Sequence, residues 1–215
     1  MKYIIDSGNR KEIEEAIELG ACGVTANTSM YKKNDISLLS FVKNYTNQEL
    51  DFLSGEVIGT YEEMLDQAMS LVKLDKHIII KINFSRDGLR LVKRLKSEGI
   101  LTAITLIFTI AQATAAINAG ADYLFFFIGR NEEIGHDGLT SCKSIQDMIR
   151  DKQYSTRLVA ASIKNLYQLE CLTAQHIDYA AIPYALYMKS LEHPLTSSGA
   201  AIFEEDYYTN PKNAG

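Results

Sequence analysis

Eight short runs of apolar and β-branched residues recur along the chain at intervals of a little over twenty residues, with amphipathic stretches between them. Apolar runs of this length are typical of buried strands, and strands that alternate with helices are typical of parallel α/β folds. The predicted strands cover residues 2–6, 22–26, 52–58, 77–83, 101–108, 122–128, 157–162 and 178–183.

The stretches between the strands carry apolar residues at helical spacing, and several end at a glycine, which favours helix termination. The clearest predicted helices cover residues 11–19, 61–74, 85–97, 111–119 and 139–151, and the terminating glycines are Gly20, Gly99 and Gly120. Eight strand–helix units predict a (β/α)₈ TIM barrel in preference to an open doubly wound sheet. The Gly-x-Gly-x-x-Gly turn that supports a dinucleotide-binding fold is absent from the sequence.

Length and composition fit one compact α/β domain. The chain has 215 residues, of which 47% are hydrophobic and 23% charged, so it can bury a sizeable core. We expect a single domain over residues 1–209, consisting of the barrel and a C-terminal helix, followed by a mobile tail over residues 210–215.

The sequence also bears on location and partners. Residues 1–6 lead directly into a strand without the pattern of a signal peptide, and no run approaches the roughly 18 apolar residues that a membrane span needs. We therefore expect a soluble cytoplasmic protein. A net charge of −5 with scattered basic residues argues against nucleic acid or a membrane as a partner, while leaving room for a local anion site.

The cysteines and histidines show no pattern of metal ligands. Cys22, Cys142 and Cys171 are widely separated, and the four histidines lack ligand spacing. We predict neither a metal site nor a cofactor.

Lys81 is the strongest chemical signal in the chain, because it interrupts a predicted buried strand of isoleucines at residues 78–82. Burial disfavours the charged form of an amine, and the neutral amine is the form that attacks a carbonyl carbon. This favours Schiff-base chemistry. The alternative is a lysine at a strand end whose amine reaches solvent.

Other polar residues fall at the predicted C-terminal ends of strands, where TIM barrels place their active sites. Each also has a structural alternative. Asp6 suits the N-cap of the first helix, Asn27 suits a turn, and Glu56 suits a purely structural ion pair with Lys81. Thr105 suits a strand, and loop positions suit the remaining polar residues. The full set is Asp6, Asn27, Glu56, Lys81, Thr105, Arg130, Ser162 and Lys164.

The order and spacing of several segments resemble the transaldolase and fructose-6-phosphate aldolase family of class I aldolases, over nearly the whole chain. No one segment is specific, but their ordered set is. The segments that carry the resemblance are residues 5–7 (IDS), 23–29 (GVTANTS), 54–57 (SGEV), 79–82 (IIKI), 97–100 (SEGI), 105–108 (TLIF), 111–113 (AQA), 126–130 (FFIGR), 160–164 (AASIK) and 193–194 (HP).

The resemblance implies a mechanism on a ketose phosphate. Lys81 would form a Schiff base with the ketone, and Glu56 would relay protons through a water held with Thr105. Asp6 would take the proton from the substrate hydroxyl whose loss drives carbon–carbon cleavage. Asn27 would hold hydroxyls of the retained three-carbon fragment.

The resemblance also implies a phosphate site and favours one branch of the family. Arg130, Ser162 and Lys164 would bind the distant phosphate. Transaldolases carry the equivalents of Glu56 and Phe127, whereas the aldolase branch tends to have glutamine and tyrosine there. Because Phe127 has no hydroxyl with which to protonate the enamine, the expected reaction is transfer to an aldehyde acceptor such as erythrose 4-phosphate.

Departures from the family pattern affect the donor site. The family's Thr-Asn-Pro appears as Ala26-Asn27-Thr28, and its Lys-x-Pro ends here at Asn83, so both loops lose a rigid proline. Ala103 stands where transaldolases have asparagine, and two phenylalanines, Phe125 and Phe126, replace Ser-Pro or Ala-Pro. Phe125 shares the inward parity of Phe127, so its ring is expected to fill space that a substrate hydroxyl normally uses. Altered donor preference or weak activity is one consequence.

Short members of the family are typically ring-shaped homo-oligomers, often decamers, so the resemblance implies self-assembly. The apolar stripe Phe203, Tyr207 and Tyr208 near the C-terminus suits packing either on its own barrel or on a neighbour. Two other functional classes stay open: a different lysine-dependent lyase, such as a deoxyribose-phosphate-type aldolase, and a non-catalytic sugar-phosphate-binding barrel.

Overall fold

The structure is a computed structural model that describes residues 1–210 and residue 212. Eight parallel strands form a closed barrel in sequential order, which confirms the predicted (β/α)₈ TIM barrel. The strands are β1 Lys2–Asp6, β2 Gly23–Thr25, β3 Phe52–Val57, β4 Ile79–Asn83, β5 Thr102–Ile107, β6 Tyr123–Phe127, β7 Arg157–Ala161 and β8 Tyr179–Ile182. Pairing of β1 with β8, from Lys2 beside Tyr179 to Ile5 beside Ile182, closes the barrel.

Each of the clearest predicted helices is present, with its ends within one residue of the predicted ones. The helices are α1 Arg10–Glu18, α2 Thr28–Lys33, α3 Leu38–Lys43, α4 Tyr61–Leu74, α5 Arg86–Ser97, α6 Ile110–Ala119, α7 Ile128–Glu133, α8 Gly138–Asp151, α9 Leu166–Ala174, α10 Tyr184–Ser190 and α11 Pro194–Thr209. The predicted terminating glycines Gly20, Gly99 and Gly120 have φ angles of 102°, 72° and 94°, in the region that residues with a side chain rarely adopt.

The apolar residues form two layers on either side of the sheet. Ile80 and Ile82 of β4 belong to the larger cluster between sheet and helices, whereas Ile79 lies inside the barrel. Because side chains alternate along a strand, Lys81 and Asn83 share the inward direction of Ile79. The interior cluster comprises Ile4, Phe52, Ile79, Ala103, Phe125, Val159, Ala161 and Ala181. It fills the barrel below the strand ends, so the open space lies at the C-terminal mouth.

Helix α11 differs from the others because none of its residues is buried. It exposes Leu195, Ile202, Phe203, Tyr207 and Tyr208, each by more than half of its surface. The stripe is therefore not packed against its own barrel, which was one of the two alternatives considered above. The predicted mobility of residues 210–215 concerns a segment that falls largely outside the described residues.

Across the described residues, no helix combines the length and apolar character needed to cross a membrane.

Candidate functional site

A cavity of about 390 Å³ opens at the C-terminal ends of the strands. Every residue that the sequence analysis predicted for the site lines it, although these residues come from seven of the eight strands or the loops that follow them. They are Asp6, Asn27, Glu56, Lys81, Thr105, Phe127, Arg130, Ser162 and Lys164. Closure of the barrel brings them to one mouth, as expected for this fold.

Lys81 projects into the cavity floor and is only 4% exposed. Its Nζ donates a hydrogen bond to the carbonyl oxygen of Ala26 at 3.1 Å and lies 5.2 Å from the ring centroid of Phe125. The amine forms no salt bridge with any carboxylate in the described part of the chain. The alternative of an amine that reaches solvent is therefore wrong.

Glu56 is the register partner of Lys81 on the neighbouring strand and is 6% exposed. Its Oε2 accepts a hydrogen bond from the backbone N–H of Thr28, at the start of α2, at 2.9 Å. The structural alternative, an ion pair between Glu56 and Lys81, is absent from the described residues. The hydrogen bond from Thr28 thus orients the Glu56 carboxyl group in the cavity, beside β4, the strand that carries Lys81.

Asp6 is the last residue of β1 and lines the cavity, near enough to Lys81 and Glu56 to interact with both electrostatically. The alternative role of helix cap is wrong, because the side chain of Asn9 caps α1 instead. The Oδ1 atom of Asp6 is buried and has no hydrogen-bond partner among the described residues. Burial raises the pKa of the Asp6 carboxyl, the nearby Glu56 carboxylate raises it further, and the Lys81 amine opposes the shift.

Asn27 has a structural role as a helix cap and also lines the cavity. Its Oδ1 accepts a hydrogen bond from the backbone N–H of Met30 at 3.1 Å, which caps α2, and the same residue lines the cavity. The cap fixes the orientation of the amide. Since the carbonyl oxygen is used by the cap, the amide N–H₂ group is the part of Asn27 left for a substrate hydroxyl.

Thr105 is 2% exposed and pairs in register with Asn83, which lies two residues nearer the mouth than Lys81 on β4. The next residue, Leu106, has a φ of 60°, and the register between β5 and β6 shifts over Ile104–Ile107. A β-bulge of this kind redirects the side chains around it. Sequence periodicity did not reveal the bulge, although Leu106 also lines the cavity.

The rim of the cavity carries two cations. Arg130 is exposed on α7, with its guanidinium carbon 5.2 Å from the ring centroid of Phe127, and it forms no salt bridge within the described residues. Lys164 lies 3.4 Å from the Glu133 carboxylate. Ser162, the residue after β7, also lines the cavity and has a φ of 57°. Such strain in a residue other than glycine is typical of functional sites.

Close backbone packing fixes the position of this rim. The N–H of Gly129 donates to the carbonyl oxygen of Ser162 at 2.9 Å, and a Cβ on Gly129 would lie 2.4 Å from that oxygen. The buried side chain of Asn131 donates to the carbonyl oxygens of Phe108 and Phe127, both at 3.0 Å. These bonds hold α7 against the ends of β5, β6 and β7. Sequence reasoning assigned no role to Asn131.

The wall beside the lysine is apolar. Phe125 is 2% exposed, faces into the barrel and lines the cavity, as its parity predicted. Phe126 belongs to the outer layer and does not reach the site. Ala161 of β7 and Ala181 of β8 extend this apolar wall, whereas Asp6, Asn27 and Glu56 come from the β1–β3 side. The cavity around Lys81 therefore has a polar side at β1–β3 and an apolar side at β6–β8.

Some lining residues were not predicted to belong to the site. They are Thr28, Ser29, Met30, Asn83, Leu106, Ala161, Ile163, Ala181 and Pro183. The inward direction of Asn83 could have been predicted, since it lies two residues after Lys81 on the same strand. For Thr28 to Met30 there was none, because the short helix α2 has too few residues for a periodic pattern.

Over residues 1–210 and residue 212, no group of three or more His, Cys, Asp or Glu side chains is placed to hold a metal ion.

Comparisons of the sequence with known proteins identify a family and several relatives. The sequence model of the family described as "Transaldolase/Fructose-6-phosphate aldolase" matches residues 3–213. A protein named "probable transaldolase" from Clostridium botulinum (strain Eklund 17B / Type B) is 38% identical over 210 residues, covering 96% of this chain and 98% of the relative. Another of that name from Geotalea uraniireducens (strain Rf4) is 36% identical, covering 99% and 100%. A third, from Brachyspira hyodysenteriae (strain ATCC 49526 / WA1), is 36% identical, covering 96% and 97%.

Proposed function

Because this chain belongs to the transaldolase/fructose-6-phosphate aldolase family, we propose that it transfers a dihydroxyacetone unit between sugar phosphates through a Schiff base on Lys81. The observation that carries the proposal is the buried Lys81 amine, which faces the cavity and forms no salt bridge within the described residues. A buried amine without a salt bridge has little structural use, whereas it suits a nucleophile that attacks a ketone.

The first half of the reaction forms the imine. The neutral Lys81 amine attacks the ketone carbon of fructose 6-phosphate and gives a carbinolamine. A proton delivered to the carbinolamine hydroxyl releases it as water. Glu56, in register with Lys81, is the proton relay, and Thr105 helps to hold the water that carries the proton.

The second half breaks and remakes a carbon–carbon bond. Asp6 takes the proton of the hydroxyl on carbon 4, the bond between carbons 3 and 4 breaks, and its electron pair enters the iminium as an enamine. Glyceraldehyde 3-phosphate leaves with a new carbonyl group. An aldose phosphate then accepts the enamine carbon, Asp6 returns the proton, and water releases the ketose product.

The cationic rim supplies phosphate binding. Arg130 has no carboxylate partner in the described residues, so its planar donors are available to a phosphate, together with the Ser162 hydroxyl. Lys164 adds a point charge that Glu133 partly neutralises. Binding energy at the rim positions the distant reacting carbons over Lys81.

Transfer is favoured over simple cleavage by the apolar ring of Phe127, which cannot protonate the enamine. The alternatives are a fructose-6-phosphate aldolase that releases dihydroxyacetone, a deoxyribose-phosphate-type aldolase with an aldehyde donor, and a barrel that binds sugar phosphates without reacting. Phe125 and Ala103 in the donor end are the features that keep these alternatives open.

Borohydride trapping tests the central step. Fructose 6-phosphate with borohydride is expected to give a reduced adduct on Lys81, located by peptide mass spectrometry, and Lys81→Met is expected to give none. Lys73→Met, on the exposed face of α4, is the matched control and should still be trapped. No adduct with any ketose phosphate would overturn the proposal in favour of a binding protein. Product analysis with and without erythrose 4-phosphate then separates transfer from cleavage.

We also propose that copies of this chain assemble through α11. The helix spans Pro194–Thr209 with no buried residue, and an isolated helix of this length is only marginally stable in water. Its exposed leucine, isoleucine and aromatic side chains are of the kind that forms an interface core. A second copy supplies the same surface by symmetry, which supports a homo-oligomer.

A further inference from the structure

Asn83 is a polar residue in an otherwise apolar strand, and no step of the proposed mechanism uses it. The β4 strand reads Ile79, Ile80, Lys81, Ile82, Asn83. Asparagine is disfavoured within strands, so its presence here needs a compensating interaction. Its parity directs it inward with Lys81, and it lines the same cavity.

The Asn83 amide lacks an interaction that it should have. Its Oδ1 is buried, yet within the described residues no hydrogen bond to this atom is formed. Buried amide oxygens are almost always satisfied, and those that are not often belong to binding sites. Rotation of the amide exchanges its oxygen and nitrogen, so either atom can be turned toward a ligand in the cavity.

The position of Asn83 indicates which part of a ligand it meets. It stands two residues nearer the mouth than Lys81, a rise of about 6.6 Å along the strand, and beside Thr105 on β5. In the proposed reaction carbon 2 of the sugar is bound to Lys81 and the phosphate lies at the Arg130 rim, so the carbons between them pass Asn83. Asp6 already takes the hydroxyl on carbon 4, which leaves the hydroxyl on carbon 5 as the group for Asn83.

We infer that Asn83 binds the hydroxyl next to the carbonyl of the aldehyde that is exchanged, and so selects aldoses that carry a hydroxyl at carbon 2. The inference rests on the proposed function. Asn83 would be a specificity-determining residue, because the hydroxyl satisfies an amide that is otherwise unpaired, whereas an acceptor without this hydroxyl leaves the amide unpaired.

A competition between two acceptors tests the inference. Fructose 6-phosphate is the donor, and erythrose 4-phosphate competes with its 2-deoxy analogue, so that the two seven-carbon products differ in mass by one oxygen atom. The native protein is expected to prefer the hydroxylated acceptor. Asn83→Leu is expected to reduce that preference about tenfold, the size of one hydrogen bond between neutral groups.

Controls separate this role from others. Asn47→Leu makes the same chemical change on an exposed residue far from the cavity and should leave the preference unchanged. Asn83→Ala serves if the leucine variant does not fold. Borohydride trapping of the Lys81 imine is measured with dihydroxyacetone, which lacks the aldehyde part of the sugar, so that loss of the Asn83 contact with that hydroxyl does not enter the trapping rate. This trapping should proceed at the native rate in both Asn83 variants.

The outcomes are distinguishable. If both variants transfer with the native preference, Asn83 does not bind the hydroxyl and the inference is wrong. If trapping slows while the preference is unchanged, Asn83 holds the water of imine formation instead, which also overturns the inference. If the native protein forms no imine at all, the proposed function fails and the inference falls with it.

Discussion

Single residues set the properties of the cavity floor, and Asp6 shows how the proposed function and stability oppose each other there. A carboxyl at a strand end, with one oxygen buried and without a hydrogen-bond partner in the described residues, is costly to keep charged. The same burial raises its pKa, which makes the carboxylate a stronger base toward a substrate hydroxyl. The Asp6 side chain is thus better suited to catalysis than to stabilising the fold.

Replacing Asp6 by asparagine is expected to stabilise the protein at neutral pH while lowering kcat/KM by at least about a hundredfold, since the amide cannot accept the proton. Because the folded-state pKa is raised, the carboxyl favours the fold below about pH 4, and this contribution is lost as pH rises through the folded-state pKa.

Thermal unfolding at several pH values checks the expectation. The midpoint of Asp6→Asn should exceed the native one at pH 7 by about 2–4 °C, equivalent to ~1 kcal/mol, and the difference should disappear toward pH 4. Asp66→Asn, on the exposed face of α4, is the control and should show no such trend. A difference that does not change with pH would contradict the argument.

At the scale of elements, the barrel positions the site through a few close approaches between neighbouring strands and helices. The start of α7 rests directly on the end of β7, because Gly129 has no side chain to separate them. Its N–H bond to Ser162 and the Asn131 bonds hold Arg130 over the mouth. The proposed phosphate site thus depends on backbone geometry as much as on charge.

Gly129→Ala is expected to push α7 away from β7, since the new Cβ would lie 2.4 Å from the Ser162 carbonyl oxygen and 2.5 Å from the Lys164 Cγ. We expect a loss of about 1–3 kcal/mol in the free energy of unfolding and a raised KM for fructose 6-phosphate. Denaturant titration and steady-state kinetics measure the two effects.

Gly199→Ala is the matched control, because a Cβ at this helical glycine meets nothing within 4 Å. That substitution should leave KM unchanged and raise helix stability slightly, by about 0.5–1 kcal/mol. An unchanged KM in Gly129→Ala would show that the rim does not bind the phosphate in the way proposed.

At the scale of the whole molecule, the barrel core is complete without α11. Every buried apolar residue lies before the start of this helix within the described part of the chain. The barrel can therefore fold without the helix, and α11 is available to bind another copy.

Deleting residues 194–215 is expected to leave a folded barrel that has lost its assembly. Circular dichroism should show the helix and strand content of a TIM barrel, and analytical ultracentrifugation should show a ring-sized oligomer for the full chain and a smaller species for the shortened one. Phe203→Glu, a single change in the exposed stripe, should weaken assembly in the same direction. A monomeric full chain would contradict the assembly proposal.

The sequence was sufficient to predict the strand–helix alternation, because apolar periodicity is a local property that each segment carries by itself. It also identified Lys81, since one ionisable residue in an isoleucine strand is conspicuous without any knowledge of its neighbours. The rule that barrel sites lie at C-terminal strand ends was enough to select Asp6, Glu56 and Arg130 as lining residues.

Contacts between distant segments were decided only by the tertiary structure. Nothing in the local pattern around Thr28 predicts that its N–H donates to Glu56, and nothing around Leu106 predicts the bulge at the mouth. The local sequence also does not predict that the Asn83 Oδ1 lacks a hydrogen-bond partner in the described residues, because the strands beside a residue decide its partners. The sequence by itself determined which residues face inward, since parity is local. Only barrel closure decided which of them meet, since register and loop conformation are properties of the whole chain.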